Sequence, residues 1–205
     1  MKLDRVIVRT IVNTLCAISV LCAILFLSAS LVFPSAMMEV SYKLGDDNGA
    51  MKYAYTAYSR TGYVDYIAYA TDVAFGMDDD EDIVRYGETF INDEAFLSYC
   101  SEMDELYEQP AGAYRKYVYG KVVVSLYKLN EKQKAFDYAM QSLNAGFEKN
   151  NALVALFIES LVRGDAEMVS KIEDEFLKIS PTLSEEMQTY LQELLSLTDL
   201  GKGNE

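Results

Sequence analysis

The segments Asn130–Leu143 (NEKQKAFDYAMQSL) and Gly164–Leu177 (GDAEMVSKIEDEFL) lie on one another without gaps, their first residues 34 apart. Gly45–Tyr58 (GDDNGAMKYAYTAY) takes the same register. Each opens with a turn residue, passes through charged or polar residues, and settles into a helical spacing of small or apolar positions. A period in the thirties predicts stacked helical hairpins, because one hairpin cannot bury its apolar face alone.

The pattern extends when the turn is set at position 15 of a unit. Positions 20, 24 and 27 are then Ala50, Ala54 and Ala57, or Ala135, Ala139 and Ser142, or Val169, Glu173 and Phe176. A further unit with Asp78 at its turn supplies Ile83, Gly87 and Phe90. Steps of four and three residues fall on one helix face. The preceding helices show a stripe of their own at positions 4, 7, 8 and 11. It reads Ile67, Ala70, Thr71 and Ala74, then Tyr119, Val122, Val123 and Leu126, then Leu153, Leu156, Phe157 and Ser160. Such stripes demand cover from a neighbouring helix. The predicted fold class is all-α: an N-terminal transmembrane helix, then an α-solenoid of about four hairpins.

These residues resemble the tetratricopeptide repeat family. Ala50, Ala57 and Ala135 match its small positions, and Pro181 falls where its units often carry proline. The resemblance covers roughly residues 34–92 and 116–181. Ile83, Phe90, Val169 and Phe176 are larger than the family pattern, which predicts irregular packing angles. The resemblance also implies a groove lined by the first helix of each unit. Carried over, its residues are Asp65, Ala68, Asp72 and Phe75; then Tyr117, Gly120, Val124 and Tyr127; then Asn151, Val154, Ile158 and Leu161. The last set is apolar, to be covered by a following helix or by a bound amphipathic segment. An apolar or basic peptide is the expected ligand.

The second and third units stand 52 residues apart, so residues 93–113 form an insertion. A short helix over Glu94–Tyr107, closed by Pro110 and Gly112, is expected there. It is either a spacer or part of the binding surface. Units one and two span 34–92, and units three and four 114–181. After Pro181, Leu183, Met187, Leu191, Leu194 and Leu197 form a stripe behind a capping box of Thr182 and Glu185. Residues 182–200 are therefore expected to cap the array, and 201–205 to fray.

The N-terminal residues read as a membrane segment. Residues 11–33 carry no charge, and 23 helical residues span roughly 34 Å, enough for a ~30 Å hydrocarbon core. Lys2, Arg5 and Arg9 in residues 1–10 precede this run. The positive-inside bias places that tail in the cytoplasm and residues 34–205 outside it, in a single-pass topology. A cleaved signal peptide ending near Ser28-Ala29-Ser30 is the competing reading, but the apolar stretch is long for one. Beyond Phe33 come 15 Lys or Arg against 31 Asp or Glu. That field does not attract nucleic acid.

Catalytic and metal chemistry finds few footholds. The chain has no His, which removes hydrolytic triads and most zinc sites. There is no glycine-rich phosphate loop. The run Asp78–Asp82 has Ile83 and Thr89 where a calcium loop needs Gly and Glu, so it reads as a solvated turn. Cys100 lies alone beyond the membrane segment and is expected to be a buried free thiol. All 16 Tyr follow residue 40, many of them replacing the repeat core aromatics and others suited to interfaces. The reading is of a non-enzyme without cofactor or small-molecule substrate: a bacterial, extracytoplasmic scaffold that binds protein partners of a membrane or envelope complex. The alternative is a structural accessory subunit held by its transmembrane helix, with the repeats as spacer.

Overall fold

The computed structural model describes residues 2–202, except the side chains of 2–6, 30, 145 and 199–202. Among these residues the chain is helical without strands. The helices are α1 (Lys2–Val32), α2 (Pro34–Lys43), α3 (Asp47–Thr61), α4 (Val64–Met77), α5 (Asp80–Ile91), α6 (Phe96–Leu106), α7 (Ala113–Lys128), α8 (Lys132–Ser142), α9 (Ala152–Val162), α10 (Ala166–Ile179) and α11 (Glu185–Lys202). Two 3₁₀ turns, Leu143–Ala145 and Ser180–Thr182, join them. Two compact units divide the chain, residues 1–73 and 74–205, and the division falls inside α4.

In the first unit, the stretch Ile7–Ala29 of α1 has a mean hydropathy of 2.4 and none of it is buried. It is long and apolar enough to cross a membrane. Phe33, counted in the uncharged run, sits in the break after α1 at φ −127° and ψ 64°. Pro34 then starts α2, where its missing N–H costs nothing and its fixed φ suits a first turn. Gly45 turns the chain at φ +71°, and Asp46 caps α3 by accepting the Gly49 N–H at 2.9 Å. α2 packs on α3, whose Ala50, Met51, Ala54 and Ala57 are buried. The Arg60 guanidinium, in the last turn of α3, donates to the Leu31 carbonyl at the end of α1.

The second unit is organised around α7. This helix packs against α5, α6, α8 and α9, and buries Val118, Tyr119, Val122, Val123, Leu126 and Tyr127. α9 packs in turn on α8 and α10. All four turn residues expected from the repeat adopt the left-handed region: Gly45, Asp78 (φ +54°), Asn130 (φ +66°) and Gly164 (φ +67°). Glycine enters that region freely, and Asp and Asn are the side chains that best tolerate it. Asp79 then caps α5 by accepting from Glu81 and Asp82.

The insertion is not a spacer standing off the hairpins. Its helix is α6, shorter at both ends than the expected Glu94–Tyr107, and it packs on α7. Phe96, Cys100 and Asp104, four residues apart, form its buried stripe. Phe96 meets Phe90 edge-on at 4.9 Å and Tyr119 at 6.0 Å. Cys100 is a buried free thiol. Asp104 is 4% exposed and accepts from the Gly112 N–H at 2.6 Å and the Tyr114 N–H at 2.8 Å. A carboxylate carried by the insertion thus caps α7, with the helix dipole favouring its charge.

The C-terminal helix departs from expectation in three places. Thr182 closes the 3₁₀ turn, donating to the Ile179 carbonyl, so it is not half of a capping box with Glu185. Ser184 precedes the helix instead, and its carbonyl receives the Gln188 N–H. Leu191, Leu194 and Thr198 are buried, whereas Leu197 is 46% exposed because it lies off that 3.6-residue line. Gly201 and Lys202 remain helical rather than frayed. The rest of the expected tail, residues 203–205, lies outside the described residues.

Two glycines should respond oppositely to alanine. Gly164→Ala forces a Cβ into a left-handed position and should lower stability by ~1 kcal/mol. Gly76→Ala, inside α4 with open space around the added carbon, should raise it by roughly 0.5–1 kcal/mol. Thermal unfolding followed by circular dichroism checks both signs. Asp104→Ala strips two half-buried donors of their acceptor and should cost about 1–2 kcal/mol, read by the same melt.

Candidate partner-binding surface

One face of α7 presents Tyr117, Gly120, Lys121, Val124 and Lys128, spaced by three or four residues. With Asp78 and Ile83 on one side, and Asn150 and Ala155 on the other, they line a cleft of about 430 Å³. Tyr117 is 47% exposed, and its ring stands edge-on against the buried Phe75 at 5.4 Å. Val124 is half-buried on the cleft floor, and Gly120 leaves open space beside it.

The charges in the cleft differ from the acidic average of the chain. Lys116 is buried at 3% exposure and pairs with Glu148, which lies between the 3₁₀ turn and α9. Lys128 stands 3.6 Å from Asp80, whose carboxylate also accepts from the Ser125 hydroxyl at 2.7 Å. Lys121 has no ion pair among the described residues. A basic segment in this cleft would meet the unpaired Lys121. An apolar segment meets Tyr117 and Val124.

The residues implied by the repeat register separate into three groups. Tyr117, Val124, Ile158 and Leu161 are exposed or half-exposed in the second unit, Ile158 at 45%. Asp65 and Asp72 are exposed on the part of α4 in the first unit, with Ala68 buried between them. Phe75, Tyr127 and Asn151 offer no surface to a partner and are corrected to structural positions. Phe75 backs the Tyr117 ring. Asn151 is fully buried, caps α9 through the Leu153 N–H at 2.9 Å, and also receives the Ser142 hydroxyl. Val154, apolar and 3% exposed, is equally withdrawn.

Tyr127 is 3% exposed and serves a junction between hairpins. Its hydroxyl donates to Asp165 at 2.8 Å, and Asp165 also takes Lys132 at 2.7 Å. Asp165 further caps α10 through the Met168 N–H. The Arg163 guanidinium and the Lys132 ammonium each stand 5.8 Å from the Tyr127 ring centre. The Lys132 hydrogen bond holds the Asp165 carboxyl below its usual range, helped by Tyr127 and the Met168 N–H. Burial, then the bond to Asp165, raises the Tyr127 phenol.

Lys116 and Lys121 were missed because the register pointed to its own groove positions. The signal that would have found Lys121 is its step of four from Tyr117 and of seven to Lys128 on one face. Lys116 gives no such signal, since its burial follows from Glu148 approaching from a connecting segment. Among the described residues, no group of three or more Cys, Asp or Glu is placed to hold a metal ion. Comparison with protein-family models, curated proteins and solved structures returns no match for the chain.

The Asp165 junction predicts a pH dependence. A carboxylate depressed in the folded state stabilises fully above its unfolded value. That contribution disappears as the pH falls from the ordinary carboxylate range through the depressed one. Melting temperature should therefore drop on acidification below about pH 4, and Lys132→Met should flatten that part of the curve.

Proposed function

We propose that this chain is a membrane-anchored, tetratricopeptide-like interaction module. α1 crosses the bilayer with its N-terminus in the cytoplasm, and residues 34–205 stand outside as a scaffold for a protein partner in a membrane or envelope complex. The observation that carries the reading is the turn set. The register names four turns, two pairs spaced 33 and 34 residues apart, and each holds a residue in the left-handed conformation between two helices, as other helix ends of the chain also do. Repeated hairpins present adjoining helix faces, and such faces bind extended or helical segments. The cleft beside Tyr117 and Val124, with Ile158 exposed on α9, is the surface we assign to that partner.

The test is crosslinking and capture from native membranes with the full chain. Tyr117→Ala combined with Ile158→Glu removes an aromatic anchor and places a charge on an apolar site, while both positions are exposed enough to spare the fold. Partner recovery should fall by about tenfold or more with an unchanged melting curve. Equal recovery would sink the surface assignment. If recovery instead depends only on α1, shown by exchanging it for an unrelated membrane helix, the accessory-subunit reading replaces this one.

A further inference from the structure

α2 buries Pro34, Met37 and Ser41, and beside that face it carries a second, uncovered one. Phe33 (61% exposed), Ala36, Val40 (45%) and Leu44 (79%) recur at steps of three, four and four residues. That spacing places them on one line along the helix. The line starts where α1 stops, directly after Leu31 and Val32, which are themselves 64% and 60% exposed. The contact of Arg60 with the Leu31 carbonyl ties the α2–α3 hairpin to this same end of α1. Tyr63, three residues beyond Arg60, is 65% exposed, and Lys43 flanks the stripe with Glu39 farther round.

We propose that α2 is an interfacial helix, its stripe of Phe33, Ala36, Val40 and Leu44 seated at the boundary of lipid headgroups and acyl chains. This rests on the reading that α1 crosses the bilayer. The occupant follows from continuity: an apolar surface that begins at the end of a lipid-covered helix meets the same lipid first. Ten residues of α2 extend about 15 Å, and an amphipathic helix settles roughly 5–10 Å into the interface. Arg60, Lys43 and Tyr63 are the residue types that reach headgroups from such a position. A second copy of the chain is a poorer occupant. Four side chains offer far less than the ~800 Å² per partner that a stable interface buries.

The chain contains no Trp, so one introduced Trp reports on its own surroundings. Full-length Val40→Trp, Leu44→Trp, Tyr42→Trp and Ile18→Trp are each reconstituted in vesicles, with and without brominated lipids: bromine near the headgroup end of the acyl chains for positions 40, 42 and 44, and near the methyl end for position 18, the midpoint of the apolar span. Tyr42 lies on the other side of α2, its ring toward Tyr69, and Ile18 lies in α1. Emission at 40 and 44 should be blue-shifted and quenched by the brominated lipid at least about twice as strongly as at 42. Equal quenching at 40, 42 and 44, with strong quenching at 18, overturns the interfacial helix and leaves the anchor standing. A blue shift at 40 and 44 without quenching means protein covers the stripe, and also overturns it. Absence of quenching at 18 removes the anchor reading itself, and the inference with it.

Discussion

A helix buried around most of its circumference must be covered from every side at once, and α7 imposes that requirement on the second unit. Its buried residues run from Lys116 to Tyr127 with few interruptions, so no single stripe describes it. α5, α6, α8 and α9 each satisfy part of the demand. Buried apolar side chains supply the drive, and close packing sets how far a neighbour can shift before contacts are lost. The remaining face of α7 is the one that carries the cleft. The candidate surface is thus what is left after the core has been closed, and the packing fixes Tyr117 and Val124 in place.

The turns were legible because each depends on one residue and its neighbours. Gly45, Asp78, Asn130 and Gly164 announce themselves through residue type, and the left-handed conformation is a local property. Helix α1 was legible for the same reason, since an uncharged run needs no tertiary context. The insertion was harder. Its stripe Phe96, Cys100, Asp104 reads as a helix face, but nothing local says that a carboxylate would be buried to cap another helix. Only the three-dimensional approach of α6 to the start of α7 makes Asp104 a structural acceptor.

The candidate surface was half legible. A register carried from a family assumes regular packing, whereas burial is decided by the neighbours each helix meets; Ile83, Phe90, Val169 and Phe176 are all buried. Tyr117, Val124 and Ile158 still come out at the surface, while Tyr127 and Asn151 turn inward to serve junctions. Tyr127 illustrates why residue type misleads: an amphipathic side chain suits an interface between proteins and an interface between hairpins equally well. The deciding factor is Asp165, thirty-eight residues away in sequence and 2.8 Å away in space.

The cap that Asp104 provides has an evolutionary side. Segments that interrupt a repeat array are ordinarily the places where length varies and foreign domains are spliced in, because nothing else relies on them. Here the opening turn of α7 takes its acceptor from the interrupting segment. Shortening or replacing α6 would leave half-buried donors without an acceptor at the start of α7. The interruption should therefore be inherited as part of the fold, with sequence drift confined to its outward face.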